Sequence, residues 1–346
     1  MNLYDFAEKG KWSLDRIHDF ATGVNPLGPS HKAARAVRKE AGRLEFFPDE
    51  KARYLKRYLC RIEGLEEDRI LFGAGSTHLL GLLMDKVKPE VVGLLSPCSQ
   101  RVHEILAPHS AGIELIPTEG DGKFSIPVKR LCDRMKEVDM LILGNPHHMT
   151  GTAISGEDLS TLISEAAAAG TILVIDEAFR DYTTVVSPVR EVAESASAVI
   201  LRTFSLYHGF AALRLGYMIG PSGLIRKIEP ARPSAQISSL ALRAAQASLR
   251  DREHRERTFK FVAEEKAYFS RKLSTVPGVD MIDTPCNFVL LRMKGEWEAL
   301  GRELLAKGIM IEGFQSENDD LYVRLPVGRH KSNAYFMRSL RKILGG

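Results

Sequence analysis

Cysteine is scarce in this chain: four residues in 346, at Cys60, Cys98, Cys132 and Cys286. They lie far apart and show no Cys-x-x-Cys spacing. That excludes a disulfide scaffold and points to a reduced compartment. Long apolar runs are missing too. No window approaches the length needed to span a bilayer, and the N-terminal Met-Asn-Leu-Tyr-Asp-Phe has no apolar signal region, so a cytoplasmic chain without a membrane partner is expected. Charge of one sign is nowhere concentrated. Lys and Arg number 48 against 44 Asp and Glu, for a net +4 spread over helical stretches, which argues against a nucleic-acid partner. Internal repeats and low-complexity linkers are absent. What remains is a globular composition, 44% hydrophobic and 27% charged. Its length suits one large domain and one smaller one.

The middle of the chain alternates short apolar runs with amphipathic stretches. The runs are Ile70-Leu71-Phe72, Val91 to Leu95, Met140 to Leu143, Ile172 to Ile175 and Ala198 to Leu201. Helical patterns fall between them at 76–87, 127–136 and 156–169. Buried strands alternating with helices predict an α/β domain over 46–250, its mainly parallel sheet covered on both faces. Ligands bind such sheets at the carboxyl ends of the strands. The chemical residues cluster there: Gly73 to Thr77, Asn145 to Gly151, Asp176 to Phe179 and Thr203 to His208. One long Ala- and Arg-rich helix is expected from about 234 to 275, leading into a small α+β domain over 251–346. That domain holds apolar runs at 288–291, 308–311 and 321–324 and helices near 296–306 and 331–343.

Phe72-Gly73-Ala74-Gly75-Ser76-Thr77 follows a strand and opens a helix. Glycines let a backbone approach an anion closely, and Ser76, Thr77 and the helix amides can hold a phosphate. A plain strand-to-helix turn would use the same residues. Asp176-Glu177-Ala178-Phe179 likewise follows an apolar run, as a strand-end carboxylate that caps a helix would.

The segment Leu201-Arg202-Thr203-Phe204-Ser205-Leu206-Tyr207-His208-Gly209, with Arg214-Leu215-Gly216-Tyr217 after it, decides between these readings. It resembles the coenzyme-lysine segment of fold-type I pyridoxal-phosphate (PLP) enzymes, Ser-x-Ser/Thr-Lys with an Arg eight residues later. Ser205, Arg214 and Gly216 match, and Leu206 stands where the lysine is expected. Within that superfamily the chain is similar to threonine-phosphate decarboxylases and histidinol-phosphate aminotransferases over most of its length. Gly23-Val24-Asn25-Pro26-Leu27-Gly28, Phe46-Phe47-Pro48-Asp49, Asn287-Phe288 and Tyr322-Val323-Arg324 carry the likeness. The resemblance implies an aminotransferase-like fold in which residues 1–45 pack with the small domain. It implies a phosphate cup of Gly75, Ser76, Thr77, Ser205 and Arg214. Asp176 pairs with a protonated pyridine nitrogen, making the ring an electron sink. Arg324 grips a substrate carboxylate, a bidentate task suited to guanidinium, and Asn25 joins it in substrate binding. Phe47 takes a cross-subunit position, so a homodimer is expected.

Several positions depart from that pattern. His148 in His147-His148-Met149-Thr150-Gly151 replaces an Asn that bonds the ring hydroxyl, and Phe179 replaces the Tyr that shares this contact. Val102 falls where an aromatic ring should stack, Glu312 where an Arg is common, and Leu206 has no amine to hold PLP or move a proton. His103, His148, His208 and Cys98 map near the pocket. Imidazole serves as acid, base or metal ligand, but the spacing matches no metal motif and no metal ligand is assigned. His208, His148 and Asp176 are the catalytic candidates. Three readings stay open. One is an aminotransferase- or decarboxylase-like enzyme with a repurposed pocket. It would hold PLP, pyridoxamine phosphate or another phosphorylated or amino-acid-like ligand noncovalently, with His-based acid/base chemistry. The second is a catalytically inactive binding or regulatory paralogue. The third is a non-PLP enzyme using the Asp/His cluster, with or without a metal.

Overall fold

The computed structural model describes residues 2–345 apart from 110–111, 121, 234–235 and 317. After β1 (His18–Phe20), the strands β2 (Ile70–Gly73), β3 (Val91–Ser96), β4 (Gly112–Pro117), β5 (Met140–Gly144), β6 (Ile172–Asp176), β7 (Ala198–Thr203) and β8 (Gly216–Ile219) form one sheet. Its order is β2-β8-β7-β6-β5-β3-β4. β3 to β7 run parallel, and β8 lies antiparallel to β2 and β7.

Side chains on a strand alternate between faces, so a strand covered on both sides must be apolar throughout. β5 is buried at every position. Met140 and Ile142 pack on one face with Leu79 and Leu83 of helix Ser76–Val87. Leu141 and Leu143 pack on the other with Leu131, Leu159 and Leu162. β4 and β8 lack the continuous apolar run that marks the rest: Glu114 interrupts β4, and β8 is short and opens on Gly216.

The long helix expected over 234–275 is broken. Helices Ser239–Leu249 and Arg252–Leu273 are separate, because the Asp251 carboxylate accepts the His254 amide and starts the second one. Asp251 also pairs with Lys32 at 3.0 Å.

The second sheet contains β9 (Val279–Ile282), β10 (Phe288–Lys294), β11 (Ile309–Gln315) and β12 (Asp320–Pro326), in the order β1-β11-β12-β10-β9. β1 pairs parallel to β11. Phe20 on β1 packs in one core with Phe269, Phe336, Leu291 and Val323. Helix His31–Glu40 instead lies on helix Ser239–Leu249. Among the described residues no helix is long and apolar enough to cross a membrane.

Candidate functional site

β3, β5 and β6 end at one cavity of about 130 Å³, lined among others by Ser76, Thr77, Cys98, His147, His148 and Asp176. It lies at the carboxyl edge of the parallel strands, where helix and strand ends leave backbone groups unpaired. Asp176 is the last residue of β6. Its Oδ1 accepts the Ala178 amide at 2.9 Å, and its Oδ2 stands 3.4 Å from His148 Nε2. That nitrogen is buried and makes no hydrogen bond, so the two side chains stand close without being bonded.

Neighbouring groups are held neutral. Burial, with His148 adding to it, pushes the His147 imidazole down to about 3, and its Nδ1 lies 2.9 Å from Thr150 Oγ1. His147 is therefore framework at neutral pH. Cys98 Sγ lies 3.0 Å from His103 Nε2. Burial raises the Cys98 thiol to about 11, leaving almost no thiolate to act as a nucleophile. Among the lining residues Val102 faces the cavity and no Phe, Tyr or Trp does. Among the described residues no group of three or more His, Cys, Asp or Glu is placed to hold a metal.

The residues that the resemblance assigns to a phosphate cup lie beside this cavity. Helix Ser76–Val87 opens on Gly75, at φ +96° and without a side-chain cap. A Cβ on Gly75 would stand 2.8 Å from Arg214 Nη2, so the guanidinium lies against the helix start, and the positive φ there favours glycine. Arg214 Nη1 also lies 3.4 Å from Ser205 Oγ. Gly216 keeps β8 tight against the same turn: a Cβ there would stand 2.7 Å from Ser76 N and from Arg202 O.

The other sequence candidates are placed differently. Leu206 packs with Phe179, Tyr182, Tyr207, Cys286 and Phe288 in an apolar cluster. His208 does not line the cavity. Its Nδ1 is 2.8 Å from Ser248 Oγ and its Nε2 is 3.4 Å from Asp181 Oδ2. Burial alone would raise the Asp181 carboxyl, but the hydrogen bond and charge of His208, with Arg202 and Arg180, bring it to about 2. Asn25 Nδ2 donates to Tyr207 O at 2.9 Å and Thr258 Oγ1 at 3.1 Å. It ties the N-terminal segment to the chain after β7. Arg324 is not among the residues that line the cavity; the Phe179 ring lies 5.5 Å from its guanidinium carbon and 6.0 Å from the His148 ring.

A buried network supports this edge and escaped the sequence reading. Arg202 donates to Glu177 (2.7 Å), Glu63 (2.6 Å), Tyr217 Oη (3.1 Å) and Ser187 Oγ (2.9 Å). The charged residue that directly follows the apolar run Ala198 to Leu201 within β7 was the signal that could have found it.

This strand order and carboxyl-edge site define a fold-type I PLP-transferase architecture. The chain superposes on the histidinol-phosphate aminotransferase of Sinorhizobium meliloti, solved in complex with pyridoxal-5'-phosphate. The TM-score is 0.88 at 20% identity, over 99% of this chain and 94% of that one. It also superposes on the L-threonine-O-3-phosphate decarboxylase of Porphyromonas gingivalis, with TM-score 0.77 at 19% identity over 94% and 99%. The family described as aminotransferase class I and II matches residues 15–339, and the chain belongs to that family. It is 29% identical to histidinol-phosphate aminotransferase 1 of Mesorhizobium japonicum over 96% of this chain and 92% of that one. It is 27% identical to the histidinol-phosphate aminotransferase of Moorella thermoacetica over 94% and 84%.

Proposed function

We propose that this chain binds a phosphate monoester in the Gly75–Ser76–Thr77–Ser205–Arg214 cup. PLP or pyridoxamine phosphate, held noncovalently, comes first among such ligands. The observation that carries this reading is Arg214, whose guanidinium meets Ser205 and the glycine that opens helix Ser76–Val87. The residues present fit the phosphate and the ring nitrogen of that coenzyme, with Asp176 as partner of the nitrogen. They do not fit a covalent tether, because Leu206 takes the lysine's place and offers no amine. When bound, the coenzyme supplies an electron sink.

His148 is the group that can hold or move a proton beside Asp176, at its buried Nε2. His208 keeps both ring nitrogens engaged and acts as a positioning residue for the segment around Leu206. A binding protein without turnover is the second reading, and the apolar cluster at Leu206 favours it. The free cysteines suit a reduced cytoplasm.

Arg214→Ala tests the cup. Titration with PLP and with inorganic phosphate is expected to show binding weakened by ~1.5–3 kcal/mol, the usual cost of losing a hydrogen bond to a charged group. Unchanged affinity would refute the assignment.

We also expect a homodimer. Phe46 and Phe47 are 66% and 94% exposed and stand next to Leu44 and Tyr54, also exposed. Covering such rings removes apolar surface from water at about 25 cal/mol per Å². Light scattering at low micromolar concentration should give twice the 38.5 kDa chain mass. A clean monomer contradicts it.

A further inference from the structure

Phe124 bridges the two sheets. After β4 the chain doubles back: the Glu119 amide donates to Ser125 O at 2.9 Å, and the Ser125 amide to Glu119 O at 2.8 Å. Gly120 and Gly122, at φ +92° and +81°, permit the turn. The Phe124 ring stands edge-on to two rings of the second sheet, Tyr322 at 5.0 Å and Phe314 at 5.9 Å. Those two are direct cross-strand neighbours on β12 and β11, stacked at 5.1 Å. Edge-to-face rings at such distances attract, and a cross-strand pair is fixed by its sheet.

The backbone of the same residue holds the cavity wall. Thr152 Oγ1 donates to Phe124 O at 3.2 Å, and Thr150 Oγ1 donates to Thr152 Oγ1 at 3.0 Å. His147 Nδ1 lies 2.9 Å from Thr150 Oγ1, and His147 and His148 both line the cavity. His147 and Thr150 are buried, where a polar group that loses its partner bears the full desolvation cost. The loop is also closed on itself. The His147 amide donates to Thr152 O at 2.7 Å, and the Gly151 amide to His147 O at 2.8 Å. It therefore passes on a displacement instead of absorbing it. Thr284 abuts the same loop, since a Cβ on Gly151 would stand 2.5 Å from Thr284 Cβ. That contact can push the loop, whereas the bond at Phe124 also holds it. We infer that Phe124 is a positioning residue that couples the second sheet to the loop 147–152, so that a shift of β11 and β12 reaches His147 and His148. The coupling holds whether or not the cup takes a phosphate.

Hydrogen–deuterium exchange of the full-length chain tests the coupling, read by mass spectrometry on a peptide spanning 147–152 and on one spanning β7 as control. The informative variant is Phe314→Ala, because Phe314 lies on β11 in the other sheet. It is expected to speed exchange in 147–152 at least ~threefold, the effect of losing one aromatic pair, and to leave β7 unchanged. Thr152→Val, which removes the hydroxyl and keeps the shape, should do the same from the loop side. In a Phe124→Ala background, Phe314→Ala should add less than threefold, since the ring that carries the coupling is already gone. An acceleration below threefold in either single variant overturns the inference. So does acceleration spread equally over β7, which marks a general loss of stability, and so does full additivity in the double variant. If Phe124→Ala does not fold, Phe314→Ala and Thr152→Val decide by themselves.

Discussion

Arg202→Met is expected to lower the free energy of unfolding by about 3–5 kcal/mol, the range for removing one partner of a buried ion pair. The guanidinium side chain is 5% exposed and joins Glu177, Glu63, Tyr217 and Ser187. Its removal leaves Glu177, whose side chain is fully buried, as a charge without compensation. Desolvation is then no longer offset by the cation, and the folded state bears the whole cost. Urea denaturation followed by circular dichroism measures the loss. The double variant Arg202→Met with Glu177→Gln should recover a large part of it, since it removes the orphaned charge as well. A loss under 1 kcal/mol would mean that water reaches this network. The effect bears on the site because Arg202 lies on β7, three residues before Ser205, and bonds Tyr217 on β8.

Leu206→Lys is expected to capture PLP without restoring transamination. The new amine gives a yellow protein, and borohydride fixes the label to that lysine. The same treatment of wild type should give no stoichiometric adduct on a lysine lining this pocket. Turnover should nevertheless stay at least ~100-fold below the usual ~1–10³ per second, since misplacement by 1 Å costs about that much. Three observations support this. Position 206 packs among Phe179, Tyr182, Tyr207 and Phe288, an apolar setting that disfavours a charged ammonium. Val102 puts no aromatic face in the cavity, and His148 and Phe179 stand where the resemblance implies an Asn and a Tyr. Supporting contacts of this kind keep catalytic geometry within about 0.5 Å. Steady-state assays with amino donors and keto acids measure the rate. Turnover in the ordinary range would show an intact coenzyme site lacking one residue, and the repurposed-pocket reading would fall.

Both results turn on how much of this molecule was legible without its fold. The five apolar runs became β2, β3, β5, β6 and β7 because a strand buried on two faces leaves a continuous signature in the sequence. Gly75 could be read as an anion-binding turn because its need for positive φ and close approach is local. The absence of an amine at Leu206 is a matter of composition alone. Other features needed long-range contacts. A turn closed by the Gly209 amide on Leu206 O sends His208 to Ser248 on a distant helix. The extended chain assumed from sequence spacing gives no hint of that direction. The helix break at Asp251 is an exchange of hydrogen bonds that the Ala- and Arg-rich pattern around it conceals.

By itself the sequence determined the alternating α/β architecture and the absence of an amine at position 206. These depend on periodicity and on side-chain chemistry at a single position. Only the tertiary structure decided which groups meet. Glu312 and Arg324 are paired by the register of two antiparallel strands, and Arg202 collects partners from four separate segments. Residue types state what a side chain can bond. The packing of distant segments selects which of those bonds is made.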